Sequence, residues 1–194
     1  MCFSQNDYAD YPYPHVRNPK ATIQSDDSIP TAMAMVLTEL GVKTNPVAIA
    51  KLALDSGSRL EKGTDIFRLC NIIGKMHEEI VITTTSDSTL MKAALLRGAK
   101  VIACLSDRKR GGEGDCGQLG YPHTVAVVEV DGDIVIVWDP DFSTEKPSPD
   151  GEIRYEPGNL DLRVNLATLH RETEGFSPRY FVFDGPQSID NLPL

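Results

Sequence analysis

Apolar residues fall into two kinds of run along this chain. Up to about residue 100 they gather on helical faces, and beyond it they form short runs bounded by Gly, Pro and Asp. Ser28-Ile29-Pro30-Thr31 opens a helix predicted over Thr31 to about Leu40 and stopped by Gly41. Serine ahead of a first-turn proline is a start signal, and glycine past the last apolar residue a stop. The body, Ala32-Met33-Ala34-Met35-Val36-Leu37, is apolar nearly all round, which predicts a buried helix. A second helix is expected over Pro46–Asp55, ahead of Gly57, and a third from Thr64 to Met76. Its apolar face comprises Ile66, Phe67, Leu69, Cys70 and Ile73. Ile80–Thr84 reads as a short strand. Ser88–Gly98 reads as a helix with Ser88 as its cap, and Val101–Leu105 as a buried strand.

A glycine-bearing loop is expected over 106–122, with the glycines suggesting a mobile flap. Thr124–Val130 and Ile134–Trp138 follow, joined through Asp131-Gly132, and make the clearest hairpin signal in the chain. Residues 140–160 read as loop, Leu166–Thr173 as a weak helix and Arg179–Phe183 as a last strand. Residues 1–22, with Pro12, Pro14 and Pro19, lack periodicity and are expected to form an extended arm. The reading is therefore an arm over 1–22, one domain over 23–185 and a C-terminal tail over 186–194. Helices first and an antiparallel sheet afterwards make the class α+β.

Charge narrows the partners. A net charge of −9 disfavours nucleic acid, whose phosphates need clustered Lys and Arg. The one basic cluster, Arg108-Lys109-Arg110, is short and sits in the glycine-bearing loop. The four cysteines, Cys2, Cys70, Cys104 and Cys116, have no metal-ligand spacing, so no metal or other cofactor is expected. Cys70 and Cys104 read as small core residues, and Cys116 as a loop residue with no helix behind it. Residues 1–20 have no apolar segment of a cleavable signal, and no run approaches the roughly 18–20 apolar residues of a membrane span. The expected location is cytoplasmic, or outside the cell by a route that reads no cleavable signal.

Three residues carry candidate chemistry. Ser28 begins the buried helix, His123 opens the first hairpin strand, and Asp139 closes the second in Trp138-Asp139-Pro140. An antiparallel hairpin sets the start of one strand beside the end of the next, so His123 and Asp139 are expected as neighbours. A carboxylate beside an imidazole fixes its tautomer and stabilises the imidazolium. A group at a helix N-terminus gains from the helix dipole. Each residue also has a plainer reading: Ser28 as a helix cap (Asp26 and Asp27 being alternatives), His123 as a structural strand-start histidine, Asp139-Pro140 as a turn, and Trp138 as a core aromatic.

The run Ser28-Ile29-Pro30-Thr31-Ala32-Met33-Ala34-Met35-Val36-Leu37 resembles the Cys-Gly-Pro-Thr-(Ala/Ser)-Leu-Ala-Met-Val-Leu signature of papain-like cysteine peptidases of the bacteriocin-processing, double-glycine leader kind. Gly63-Thr64, the segment from Leu90 to Gly98, Val101-Ile102-Ala103, His123 with Val125–Val128, Asp131-Gly132 and Asp139-Pro140 follow in the family's order, so the resemblance spans about residues 22–142. It implies a papain-like fold, with a nucleophile helix packed on an antiparallel sheet, acting on a peptide or protein amide. Carried over by position, Ser28 takes the nucleophile place, His123 the base and Asp139 the orienting acid. Gln24 is the candidate for the family's oxyanion glutamine, although it lies closer to position 28 than the pattern asks. Ser28-Ile29 replaces Cys-Gly, and a hydroxyl cannot be driven to a resting anion as a thiol can. The implied state is a nearly inert hydrolase or a pseudo-enzyme that binds without cutting. Glutamine deamidation is the rival chemistry for the same residue types.

Overall fold

The computed structural model describes residues 1–61, 63–105, 123–141 and 161–186. The expected loop over 106–122, with Arg108-Lys109-Arg110 and Cys116, lies outside the described residues, as do residues 142–160 and 187–194.

The helices are α1 (Ile23–Asp26), α2 (Ile29–Glu39), α3 (Pro46–Asp55), α4 (Ile66–Met76), α5 (Ser88–Leu96) and α6 (Leu166–Glu172). The strands are β1 (Arg59–Leu60), β2 (Gly63–Thr64), β3 (Val81–Thr85), β4 (Lys100–Leu105), β5 (His123–Asp131), β6 (Ile134–Trp138), β7 (Leu162–Asn165) and β8 (Tyr180–Asp184). β1 and β2 pair with each other, while the other six form one sheet in the order β3-β8-β4-β5-β6-β7, antiparallel throughout. The class is α+β, as the patterning predicts.

Alternation along the central strands explains the layering. Ile102, Cys104, Ala126, Val128, Ile136, Phe181 and Phe183 face a core built with α2, α3 and α4. Val101, Ala103, Val125, Val127, Val135, Val137, Tyr180 and Val182 face a second core with Met91, Ala94 and Leu95 of α5 and Leu169 of α6. Successive side chains of a strand point to opposite faces, so a sheet covered on both faces needs apolar residues at every position. Val101-Ile102-Ala103-Cys104 is such a run. The hairpin turn places Asp131 opposite Ile134, with Gly132 at φ +59°, a conformation that glycine adopts without strain.

Several local readings change, among them the start of the third helix: Thr64 pairs in β2, and Asp65 caps α4 at Ile66. The expected extended arm is folded back instead. Gln5–Tyr8 form a 3-10 turn capped by the Ser4 side chain, Pro12 bridges to Thr22, and Tyr13 is fully buried. Tyr13 was the missed anchor: its ring gains too much from burial for the arm to stay extended. The α5 cap is Asp87, whose side chain accepts the Thr89 and Leu90 N–H groups, and Ser88 is the first helical residue. β7 precedes α6 where only loop and helix were expected. Its buried residues, Leu162 and Val164, make a two-point alternation too short to stand out in sequence.

Phe183 is fully buried and pairs with Ile82 on β3 and Lys100 on β4. Phe183→Ala is expected to cost about 3–5 kcal/mol of unfolding free energy, the usual range for an emptied aromatic core site. Leu96, 66% exposed, serves as the control, and its replacement by Ala is expected to leave the urea midpoint nearly unchanged.

Candidate functional site

The local design begins with Asp27. Helix α2 exposes N–H groups at its start, and the Asp27 Oδ1 carboxylate oxygen accepts the Ile29 N–H at 2.9 Å. Ser28 stands at the N-cap position with φ −79° and ψ −16°, and its side chain makes no capping hydrogen bond. The cap reading of Ser28 therefore fails, because the neighbouring carboxylate does that work. The Ser28 hydroxyl reaches the sheet instead. Its Oγ accepts the Thr124 N–H at 2.9 Å and shares a hydrogen bond with Thr124 Oγ1 at 2.8 Å. Both residues are buried.

Thr124 directly follows His123. The β4–β5 register sets Cys104 opposite Thr124 and Leu105 opposite His123. On the other side, Trp138 of β6 lies opposite Ala126, so Asp139, one residue beyond, comes level with the start of β5. His123 Nε2 and Asp139 Oδ1 are 2.6 Å apart, with both side chains partly shielded. Asp139 Oδ1 also accepts the Asp141 N–H at 2.9 Å, which steadies the carboxylate. Ser28 thus meets β5 one residue beyond the imidazole, and the imidazole meets the acid. Among the described hydrogen bonds none joins Ser28 to His123 directly. Trp138 packs against the α2 core, and its Nε1–H donates to Asp161 Oδ1 at 2.6 Å.

Gln24 is exposed, and its side-chain amide donates to Asn6 Oδ1 at 3.4 Å. A different glutamine is buried near the acid. The Gln5 N–H donates to the Pro140 carbonyl at 2.8 Å, and its side-chain amide donates to the Gln24 carbonyl at 3.1 Å. Its Oε1 is buried without a hydrogen-bond partner. Sequence spacing hid Gln5, because the folded arm brings it back across the intervening residues.

Behind Ser28 lies a buried polar cluster that sequence reading missed. The Arg59 side chain, 1% exposed, donates through Nη1 to Asp27 Oδ2 at 3.0 Å and through Nη2 to Asp26 Oδ2 and to the Tyr13 carbonyl. Its guanidinium lies 4.2 Å from the Tyr13 ring centroid. The Thr64 hydroxyl donates to Asp27 Oδ2 at 2.6 Å and hydrogen-bonds the Tyr13 hydroxyl, and His15 Nε2 lies 3.0 Å from Asp26 Oδ2. Arm, helix start and β1–β2 hairpin are thereby joined through one guanidinium. The acidic pair Asp26-Asp27 was the available signal, since adjacent acids before a buried helix need a buried cation.

Burial pushes the Asp27 carboxyl above its ordinary range, against the lowering pull of the Thr64 hydroxyl, Arg59 and the Ile29 N–H. Burial likewise raises the Cys2 and Cys70 thiols to about 12. Among the described residues no group of His, Cys, Asp or Glu is arranged to hold a metal ion, and no helix is long and apolar enough to cross a membrane.

Two stability outcomes are expected. Arg59→Leu strands two carboxylates in a buried site and should lower the unfolding free energy by about 3–5 kcal/mol in urea titrations. Folded Asp27 holds its proton more tightly than the unfolded chain does. Its contribution to stability is therefore present at or below the ordinary carboxylate value, about pH 4, and is lost as pH rises through the raised folded value. Asp27→Asn should flatten that decline in urea midpoints measured from about pH 4 upward, while lowering the midpoint itself because Arg59 loses a partner.

No family model matches the sequence, and no curated protein matches it. Among solved structures, the chain is similar to a crystal structure assigned as a C39-like peptidase from Bacillus anthracis, with a TM-score of 0.58 and 12% sequence identity. The match covers 82% of this chain and 89% of that one. At this identity the likeness establishes the fold: the chain has the α+β architecture of a C39-like, papain-like peptidase.

Proposed function

We propose that this chain is a papain-like hydrolase scaffold that takes a peptide or protein amide. Ser28 occupies the nucleophile place, His123 the base and Asp139 the orienting acid. The observation that carries the reading is the 2.6 Å His123–Asp139 pair beside the strand residue that holds the side chain at the start of α2. His123 is the group that exchanges a proton with substrate or with position 28 in this reading, with Asp139 orienting its ring through Nε2. Gln5 joins Gln24 as a candidate oxyanion donor in this reading. Gln5 is buried, fixed through its backbone to Pro140, and its Nε2 carries a second hydrogen besides the one given to Gln24.

The serine form binds far better than it turns over. A thiol is brought to thiolate by an imidazole and a helix N-terminus, whereas a hydroxyl must lose its proton during attack. Here the Ser28 oxygen is further engaged by two hydrogen bonds to Thr124.

Ser28→Cys tests the assignment. Exposed briefly at neutral pH to a cysteine-directed electrophile, this variant should gain one fast adduct by intact mass, mapping to position 28. The adduct should be lost in Ser28→Cys/His123→Ala. Cys2 and Cys70, which burial raises to about 12, and the buried Cys104 give a slow background, and peptide mapping separates any adduct at Cys116 from one at position 28. Labelling at position 28 no faster than at Cys2, with or without His123, would sink the thiol-hydrolase reading.

A further inference from the structure

We propose that Thr124 is a positioning residue for the side chain at position 28, and that it sets the acidity of whatever nucleophile stands there. This inference rests on the reading of position 28 as the nucleophile place.

Both hydrogen-bonding groups of Thr124 that face the helix converge on one atom. The N–H lies 2.9 Å from Ser28 Oγ, and Oγ1 lies 2.8 Å from it. Thr124 is fully buried and Ser28 is 7% exposed, so water competes poorly for these bonds. The α2 helix offers Ser28 no alternative, since Asp27 supplies the cap. The placement is fixed from both sides. Pairing with Cys104 holds the Thr124 backbone, and the apolar body of α2, including Ala32, Met33 and Val36, packs into the same core as Cys104 and Ala126.

In the serine form this arrangement restrains chemistry. When Ser28 donates its hydrogen to Thr124 Oγ1, that proton points at the threonine and not at His123. When Thr124 donates instead, Ser28 Oγ accepts two hydrogen bonds, and the electron density available for attack on a carbonyl falls. A sulfur at the same place experiences the opposite consequence. One fixed N–H donor and one hydroxyl able to turn donor favour the anion over the neutral thiol, and hydrogen bonds to the charged form lower a pKa. The pair that quiets the hydroxyl would therefore activate a thiol.

The test follows the pH dependence of alkylation at position 28 by iodoacetamide in the Ser28→Cys protein, read by peptide mapping, with Thr124→Val and Thr124→Ser added in turn. Thr124→Val keeps the N–H and removes the hydroxyl. It should move the midpoint of the rate profile upward by about one pH unit, a change of about tenfold in reactivity below the midpoint. Thr124→Ser should restore the original midpoint, and Thr124→Ala gives the same readout as valine should the valine variant not fold. A residue that merely fills space would lower the melting temperature without moving the midpoint. An unshifted midpoint in a folded valine or alanine variant overturns the proposal. His123→Ala in the Ser28→Cys background separates the two ideas: loss of His123 dependence removes the hydrolase reading, whereas the Thr124 shift stands or falls on its own profile.

Discussion

The packing of an almost wholly apolar helix against a buried strand is the constraint on which the site depends. Met33, Met35, Val36 and Leu37 of α2 are removed from water, so the first turn of the helix is drawn below the surface with them. A helix start so placed must find partners for its polar groups inside the protein. Asp27 caps the backbone, Arg59 balances Asp27, and Thr124 receives the hydroxyl of Ser28. Each requirement follows from the one before it. The polar residues around position 28 are the chain's answer to burying this particular helix terminus. They also hold that terminus against the strand that begins with His123.

Much of this was legible in the amino-acid sequence, and the reasons are physical. The α2 body announced its burial because no face of it is polar. The hairpin was visible because strands of continuous apolar residues meet at Asp131-Gly132. The nearness of His123 and Asp139 then followed from antiparallel geometry alone. The contributions that stayed hidden are those made by side chains reaching across long loops. Arg59 reads locally as one charge in a polar turn, and only the fold reveals that it lies against Tyr13 and between two aspartates. Gln5 is hidden in the same way. Its place beside Pro140 arises from an arm that turns back on itself, and the arm's own composition, rich in Tyr and Pro, carries no periodic signal of that turn.

Ser28 shows how one residue can satisfy a local rule and still not follow it. Serine before a first-turn proline is a good helix cap in isolation. Here the aspartate one position earlier has the better geometry, because its extended backbone lets the carboxylate fold over the Ile29 N–H. The hydroxyl, relieved of capping, is free to link helix to sheet. The same relief would leave a thiol at this place in contact with the sheet rather than with its own helix.

The strand order has a consequence for how the chain is made. β8 lies between β3 and β4 and supplies the bonds that hold β3 in the sheet. A nascent chain released from the ribosome in sequence order therefore carries the β3 segment unpaired until residue 184 has emerged. Gln5 likewise waits for Pro140. Segments early in the sequence are thus completed by much later ones, β3 by β8 and the folded arm by the residue that follows Asp139, so neither is held in place by its neighbours in sequence alone.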